Sequence, residues 1–188
     1  MARRWLSRGV GTRIFRAARR IESSVRGDAF IRSGNWYRNR TTWRMCLDLN
    51  RCLYYSRPEG PALDAAAPVR SVLTIIDGIV AGEGEGPLAP SDRPLGAVLA
   101  SLDPVAADLV AIALMGFDER KIPKVREAMH DTGLRVTGVR SPDDVEVVEV
   151  DAASLETHSR SVDALRSEES FVAHPGWRKH VERTPCAA

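Results

Sequence analysis

Apolar side chains recur every three or four positions over the first quarter of the chain, then give way near residue 71 to short, β-branched runs. Helices are therefore expected ahead of strands. Trp5, Val10, Ile14, Ala17, Ala18, Ile21 and Val25 keep helical spacing with arginines between them, which predicts an amphipathic helix from near Thr12 to Gly27. An acid-poor helix of this kind suits a membrane surface or a mitochondrial presequence. Gly9 and Gly11 weaken the presequence reading, and an exterior helix with a solvated charged face explains the pattern more simply. After the polar stretch Asn35 to Arg40, Thr41 or Thr42 can cap a second helix whose apolar positions are Trp43, Cys46, Leu47, Leu49, Leu53 and Tyr54. Pro58 and Gly60 end it at or before Arg57, and the linker RPEGPALDAAAPVR follows.

From residue 71 the period changes. SVLTIIDGIV reads as a buried strand, the glycine-rich GEGEG stretch as a loop, and GAVLAS as a second buried strand. DPVAADLVAIALMG then carries every mark of a helix: Asp103 as N-cap, Pro104 in the first turn and Gly116 at the end. IPKVREAMHDTG predicts a shorter helix, LRVTGV and VEVVEV two further strands, and the remainder a polar helix or loop with a frayed tail. Strand, loop, strand, helix is the grammar of an α/β fold, here a small mixed or parallel sheet flanked by helices. The expected organisation is a basic helix over residues 1–27, one α/β domain over 28–182 and a tail over 183–188.

Composition is that of an ordinary globular chain, and its length of 188 residues suffices for one real core. No run approaches the roughly 18 apolar residues that a spanning helix needs, and no secretory apolar segment opens the chain, so a cytoplasmic location is expected. Cys46, Cys52 and Cys186 form no C-x-x-C pair, which leaves no basis for a disulfide framework, a zinc knuckle or an iron–sulfur cluster. Charge is lopsided. Residues 1–56 carry 13 Lys/Arg against 3 Asp/Glu, whereas residues 57–188 carry 14 against 22. A basic start can meet nucleic acid, an anionic surface or an acidic partner, or fold back onto the acidic remainder.

Four carboxylates are the first candidates for chemistry. Asp77 sits near the end of one predicted strand, Asp103 just beyond the next, and Glu83 lies on the loop between them. If the strands run parallel, these groups share the rim where α/β sheets bind ligands. Asp108 faces apolar neighbours at helical spacing, so it needs an arginine, a backbone donor or a metal, and an arginine of the basic half such as Arg44 would serve. A set made of oxygen donors selects a hard cation such as Mg, if a metal binds. Against this, Asp103 is sufficiently explained as a cap, Asp77-Gly78 as a turn, and Glu83 with Glu85 as solvated charges. GEGEG is not a P-loop, since no Gly-Lys-Ser/Thr follows it.

A second polar set lies in the predicted helix after residue 41. Asn39, Arg44, Asp48 and Asn50 could contact a small-molecule ligand, with Asn35 beside them and Arg44 taking an anion. Arg44, Asp48 and Arg51 are also spaced as a helical ion-pair ladder. Trp36, Tyr37 and Trp43 beside arginines read either as a stacking platform or as core aromatics with cationic neighbours. His130, His158, His174 and His180 form no nucleophile arrangement by spacing, so no catalytic residue is assigned.

SVLTIIDGIVAGEGEGPLAPSDRPLGAVLASLDPVAADLVAIALMGFDERKIPKVREA, residues 71–128, closely resembles the core of the family called domain of unknown function 362. The motifs D-G-I-V-x-G-E-G-x-G-P, S-x-D-P-V-A-x-D and L-M-G-F-D carry the resemblance, and GNWYRNRTTWRMCLDLNRCLYYS and HPGWRKHVE extend it over residues 27–182. It implies an α/β fold and, in some members, fusion to ferredoxin-like iron–sulfur segments, whose cysteine pattern this chain lacks. It also implies a C-terminal portion of a longer fold, with strands ahead of it missing or supplied by a partner chain, Met1 being an internal start. Such a sheet would be incomplete, with an unpaired edge and exposed apolar surface.

Two readings follow. One is an enzyme or ligand-binding protein with a carboxylate-rich, cation-holding site at the strand ends. The alternative is a noncatalytic, partner-dependent piece whose carboxylates are caps and ion pairs. Nucleic-acid binding ranks third, because a basic lobe beside an acidic one is already neutralised.

Overall fold

The computed structural model describes residues 34–183, and the amphipathic helix expected over 12–27 lies outside them. Among the described residues three α-helices and two antiparallel strand pairs make a mixed α/β fold. Helix α1 spans Thr42–Tyr55, strand β1 Thr74–Glu85, strand β2 Ala89–Ser101 and helix α2 Pro104–Leu114. Helix α3, Pro123–His130, is followed by β3, Glu146–Val150, and β4, Thr157–Ser161.

The core forms where the three helices meet, with α3 lying against both α1 and α2. α2 is apolar nearly all round, which requires burial on several sides. Its Leu109 is 1% exposed, and Val125 of α3 is fully covered. Leu47, Tyr54 and Tyr55 supply the α1 face, and the Tyr55 hydroxyl donates to the carbonyl of Arg135 at 2.7 Å. The tyrosine ring can then be buried with its polar end satisfied. The opposite face of α1 leaves Met45, Leu49 and Leu53 exposed, so two of the six apolar positions expected to pack on this helix, Leu49 and Leu53, face outward.

The principal correction concerns the sheet. β1 and β2 pair antiparallel from Thr74 opposite Ser101 to Glu85 opposite Ala89, with a register shift between Gly78 and Val80. The parallel option fails because residues 86–88 alone join the strands, whereas a parallel crossover needs about a dozen residues. The glycine-rich stretch is therefore the distal arm of a long hairpin and not a loop. Both strands alternate between half-buried and exposed positions, so neither is the fully buried strand that its composition suggests. Ile76 and Leu99 face inward; Ile75, at 63% exposure, and Leu102, at 72%, stand on the outer face with Leu73 and Val98.

LRVTGV is not a strand. Its backbone bonds go to side chains, with Gly138 N–H reaching Asp103 and Val139 N–H the Thr137 hydroxyl. β3 forms as expected, and it pairs with β4, which the polar sequence THSRS conceals. No helix of the described residues is long and apolar enough to cross a membrane.

One buried charge gives the fold a pH dependence. Asp118 is 4% exposed and caps the turn Glu119–Lys121, accepting from Arg120 N–H at 3.1 Å and from the Arg120 guanidinium at 2.9 and 3.0 Å. The Arg120 hydrogen bonds hold its carboxyl below the usual carboxylate range. A depressed folded pKa means a contribution fully present above the unfolded value near pH 4 and lost as pH falls through the folded value. Asp118→Asn is expected to lower the urea midpoint at pH 7, and the gap from the parent is expected to close below about pH 4. A gap independent of pH would show that the ionised group contributes nothing.

Candidate functional site

The structure does not bring Asp77, Glu83, Asp103 and Asp108 together. In an antiparallel hairpin Asp103 lies beyond the Thr74–Ser101 end, while Glu83 lies toward the turn. Asp77 to Glu83 alone spans about 20 Å of strand. Each carboxylate already has protein donors. Asp77 accepts from Ile79 N–H at 3.0 Å, and Glu83 from Val172 N–H at 2.9 Å, beside the bond from Gly84 N–H to the Val172 carbonyl. Asp103 caps α2 through Val105 and Ala106 N–H and also receives the Thr137 hydroxyl and Gly138 N–H. Asp108 pairs with Lys124 of α3 at 2.8 Å, so its cation is a lysine from the acidic half and not Arg44. Among the described residues no group of three or more His, Cys, Asp or Glu is placed to hold a metal ion.

The second polar set is divided in the same way between structure and solvent. Asn39 Oδ1 accepts from Thr41 and Thr42 N–H at 2.8 and 2.9 Å, so Asn39 does the capping, and the Thr41 side chain makes no cap bond. Asn50 returns its amide to the Cys46 carbonyl, and Asp48 pairs with Arg51, which also reaches Asp131 and the Leu134 carbonyl. Arg44 is different. Its guanidinium lies 5.0 Å from the Trp43 ring centre, and no ion pair among the described residues involves it.

Around Arg44 opens a cleft of about 770 Å³. One wall is the stretch from Tyr37 to Arg44; the other comes from the α3 side, through Lys121, Pro123, Arg126 and Glu127. Five cations, Arg38, Arg40, Arg44, Lys121 and Arg126, line it with one carboxylate, Glu127, which Arg126 binds at 2.7 Å, and Lys121 is paired behind the wall with Asp118 at 3.9 Å. Lys121 donates to the Glu182 carbonyl at 2.7 Å, and the guanidinium of Arg38 lies 5.2 Å from the Tyr37 ring centre. Like Arg44, neither Arg38 nor Arg40 enters an ion pair among the described residues. Cations of one sign in a concave site focus their field and attract anions. Sequence spacing pointed to Arg44 but not to Lys121 and Arg126, which stand some eighty residues away and are brought in by the α1–α3 packing.

Trp43 also lines a second cavity of about 320 Å³, with Cys46, Ile122, Pro123, Lys124 and Trp177. Trp177 is fixed there by its indole N–H, which donates to Asn35 Oδ1 at 2.8 Å. Tyr37 anchors the same neighbourhood through its N–H to the Gly176 carbonyl and a stacked His180 ring.

The fold and cleft thus define a small α/β domain with a basic, aromatic-lined concavity. Residues 21–113 match the family described as Domain of unknown function (DUF362), which supports assigning the chain to that family. The matched stretch takes in α1, the hairpin and nearly all of α2, while the Lys121 to Glu127 wall of the cleft lies outside it. No curated protein and no solved structure matches the chain.

Proposed function

We propose that this is a ligand-binding protein whose basic cleft takes a small multi-anionic molecule, phosphorylated or polycarboxylate. The observation that carries the reading is the trio Arg38, Arg40 and Arg44, which line the cleft without an ion pair among the described residues, whereas Lys121 and Arg126 of the other wall are paired with Asp118 and Glu127. The volume falls within the roughly 300–1,000 Å³ of small-molecule sites. Guanidinium groups bind phosphate and carboxylate through paired hydrogen bonds, each charge-assisted bond contributing about 1.5–3 kcal/mol. Of the residues expected from sequence, Arg44 keeps its role as anion contact, and Asn39 acts by fixing the start of α1 beside it. A polynucleotide ranks lower, since residues 34–183 carry 18 Lys/Arg against 23 Asp/Glu.

Calorimetric titration with pyrophosphate at low salt tests the reading. The parent is expected to bind, and Arg40→Ala/Arg44→Ala is expected to lose at least about tenfold in affinity with an unchanged circular dichroism spectrum. Absence of binding by the parent, or equal affinity of the variant, would sink the proposal.

A specific observation favours a second reading, that of a partner-dependent piece. The outer face of the hairpin presents Leu73, Ile75, Val98 and Leu102 to solvent in one apolar strip. The carboxylates serving as caps and ion pairs agree with it.

A further inference from the structure

We infer that the ligand is bipartite, with an anionic group in the basic cleft and an apolar ring in the adjoining pocket between Trp43 and Trp177. The inference rests on the binding reading of the cleft and extends it to a class of molecule. The two cavities share Asn39, Trp43 and Pro123 in their walls and therefore adjoin, and a single ligand occupying both would cross at these residues. The smaller cavity holds about 320 Å³. An apolar cavity of about 150 Å³ admits benzene, so there is room here for a two-ring group.

The Asn35 and Asn39 side-chain carbonyls and the Lys124 ammonium in the smaller pocket are already engaged, and the rest of its lining is mainly apolar. Asn35 accepts from Trp177, Asn39 Oδ1 from the start of α1, and Lys124 is held by Asp108. A charged group entering there would find no free partner of opposite sign, whereas a ring would meet two indoles and Ile122. The Asn35 bond sets Trp177 in place before any ligand arrives, so little side-chain freedom is left to lose on binding. Asp108 takes a part by this route: it draws Lys124 to the pocket wall and neutralises it.

Cys46 lines the smaller pocket and is partly covered, whereas Cys52 on the same helix is exposed and lies outside it. That pair gives an internal control. The experiment compares 1-naphthyl phosphate with inorganic phosphate on the full chain, measuring affinity by calorimetry and iodoacetamide labelling of each cysteine by peptide mass spectrometry. The expected result is at least tenfold tighter binding of the naphthyl ester, with labelling of Cys46 slowed severalfold and that of Cys52 unchanged. In Trp177→Ala, and in Cys46→Leu as a pocket-filling variant that keeps the Trp177–Asn35 bond, the ratio of the two affinities is expected to fall toward one. Equal affinities with unprotected Cys46 would overturn the bipartite ligand and leave the anion cleft standing. Binding of neither compound would overturn both. Naphthyl phosphate binding that is undiminished in Arg40→Ala/Arg44→Ala would also overturn the bipartite assignment, because the anionic half would then contribute nothing.

Discussion

Asp103→Ala is expected to lower the unfolding free energy by about 3 kcal/mol, the sum of a lost N-cap at about 1 and lost tertiary hydrogen bonds to a charged acceptor at about 2. Its two oxygens hold two elements at one point: the first turn of α2 through Val105 and Ala106 N–H, and the 137–138 segment through the Thr137 hydroxyl and Gly138 N–H. Thr137 is buried, so without the carboxylate its hydroxyl is left with no acceptor from that side chain. Urea unfolding at pH 7 measures the change. Asp103→Asn keeps a capping oxygen and is expected to lie between alanine and the parent, while Asp77→Asn, an exposed strand position with one local bond, is expected within about 0.5 kcal/mol of the parent. The comparison separates two kinds of carboxylate. A group kept for a cation is strained by its like-charged neighbours when the cation is absent, and removing it stabilises the apo protein. A higher urea midpoint in Asp103→Ala would therefore return Asp103 to the role of ligand.

The cap was readable because it is a local arrangement. Asp103, Pro104 and Gly116 stand at fixed offsets along a single helix, and the structure places α2 within those marks. The hairpin was not readable for the opposite reason. Glycines and prolines between two apolar runs look like a loop, yet antiparallel pairing sets Glu83, Gly84 and Glu85 opposite Ser91, Pro90 and Ala89, whatever their side chains prefer. Reading the strands as parallel set Asp77 and Asp103 on one rim; running them antiparallel separates them. THSRS escaped notice because β4 lies exposed and pairs through its backbone, so no hydrophobic alternation marks it. In the cleft, Arg44 belongs to a local pattern and was found. Lys121 and Arg126 depend on how α3 crosses α1, which no spacing rule encodes. Asp108 falls between these cases. Its apolar neighbours called for an arginine, a backbone donor or a metal, and that Lys124 of α3 is the partner is a matter of tertiary placement.

Gly116→Ala is expected to cost about 3 kcal/mol, and two independent strains make up that figure. Gly116 has φ of +69°, a conformation that costs a non-glycine residue about 1–2 kcal/mol. A Cβ at this position would also lie 2.8 Å from the Cα of Ser170 and 3.2 Å from the Glu169 carbonyl oxygen, so backbone must move, at roughly 1–3 kcal/mol. The close approach is what allows the 167–171 segment to close off the end of α2. Ser167 N–H reaches the Ala113 carbonyl, Phe171 N–H the Met115 carbonyl, and the Ser170 hydroxyl the Gly116 carbonyl, so the last turn of the helix finds its acceptors' partners there. Gly138→Ala is the control, since its Cβ would meet nothing within 4 Å and its φ lies outside the left-handed region. Its melting temperature is expected within a degree or two of the parent, whereas that of Gly116→Ala should fall by roughly 6–12 °C. Equal melting of the two variants would mean that the 167–171 segment is not closely packed on α2. The same segment leads through buried Phe171 and Ala173 to Trp177, so in Gly116→Ala the wall of the smaller pocket is expected to loosen as well, and labelling of Cys46 to quicken.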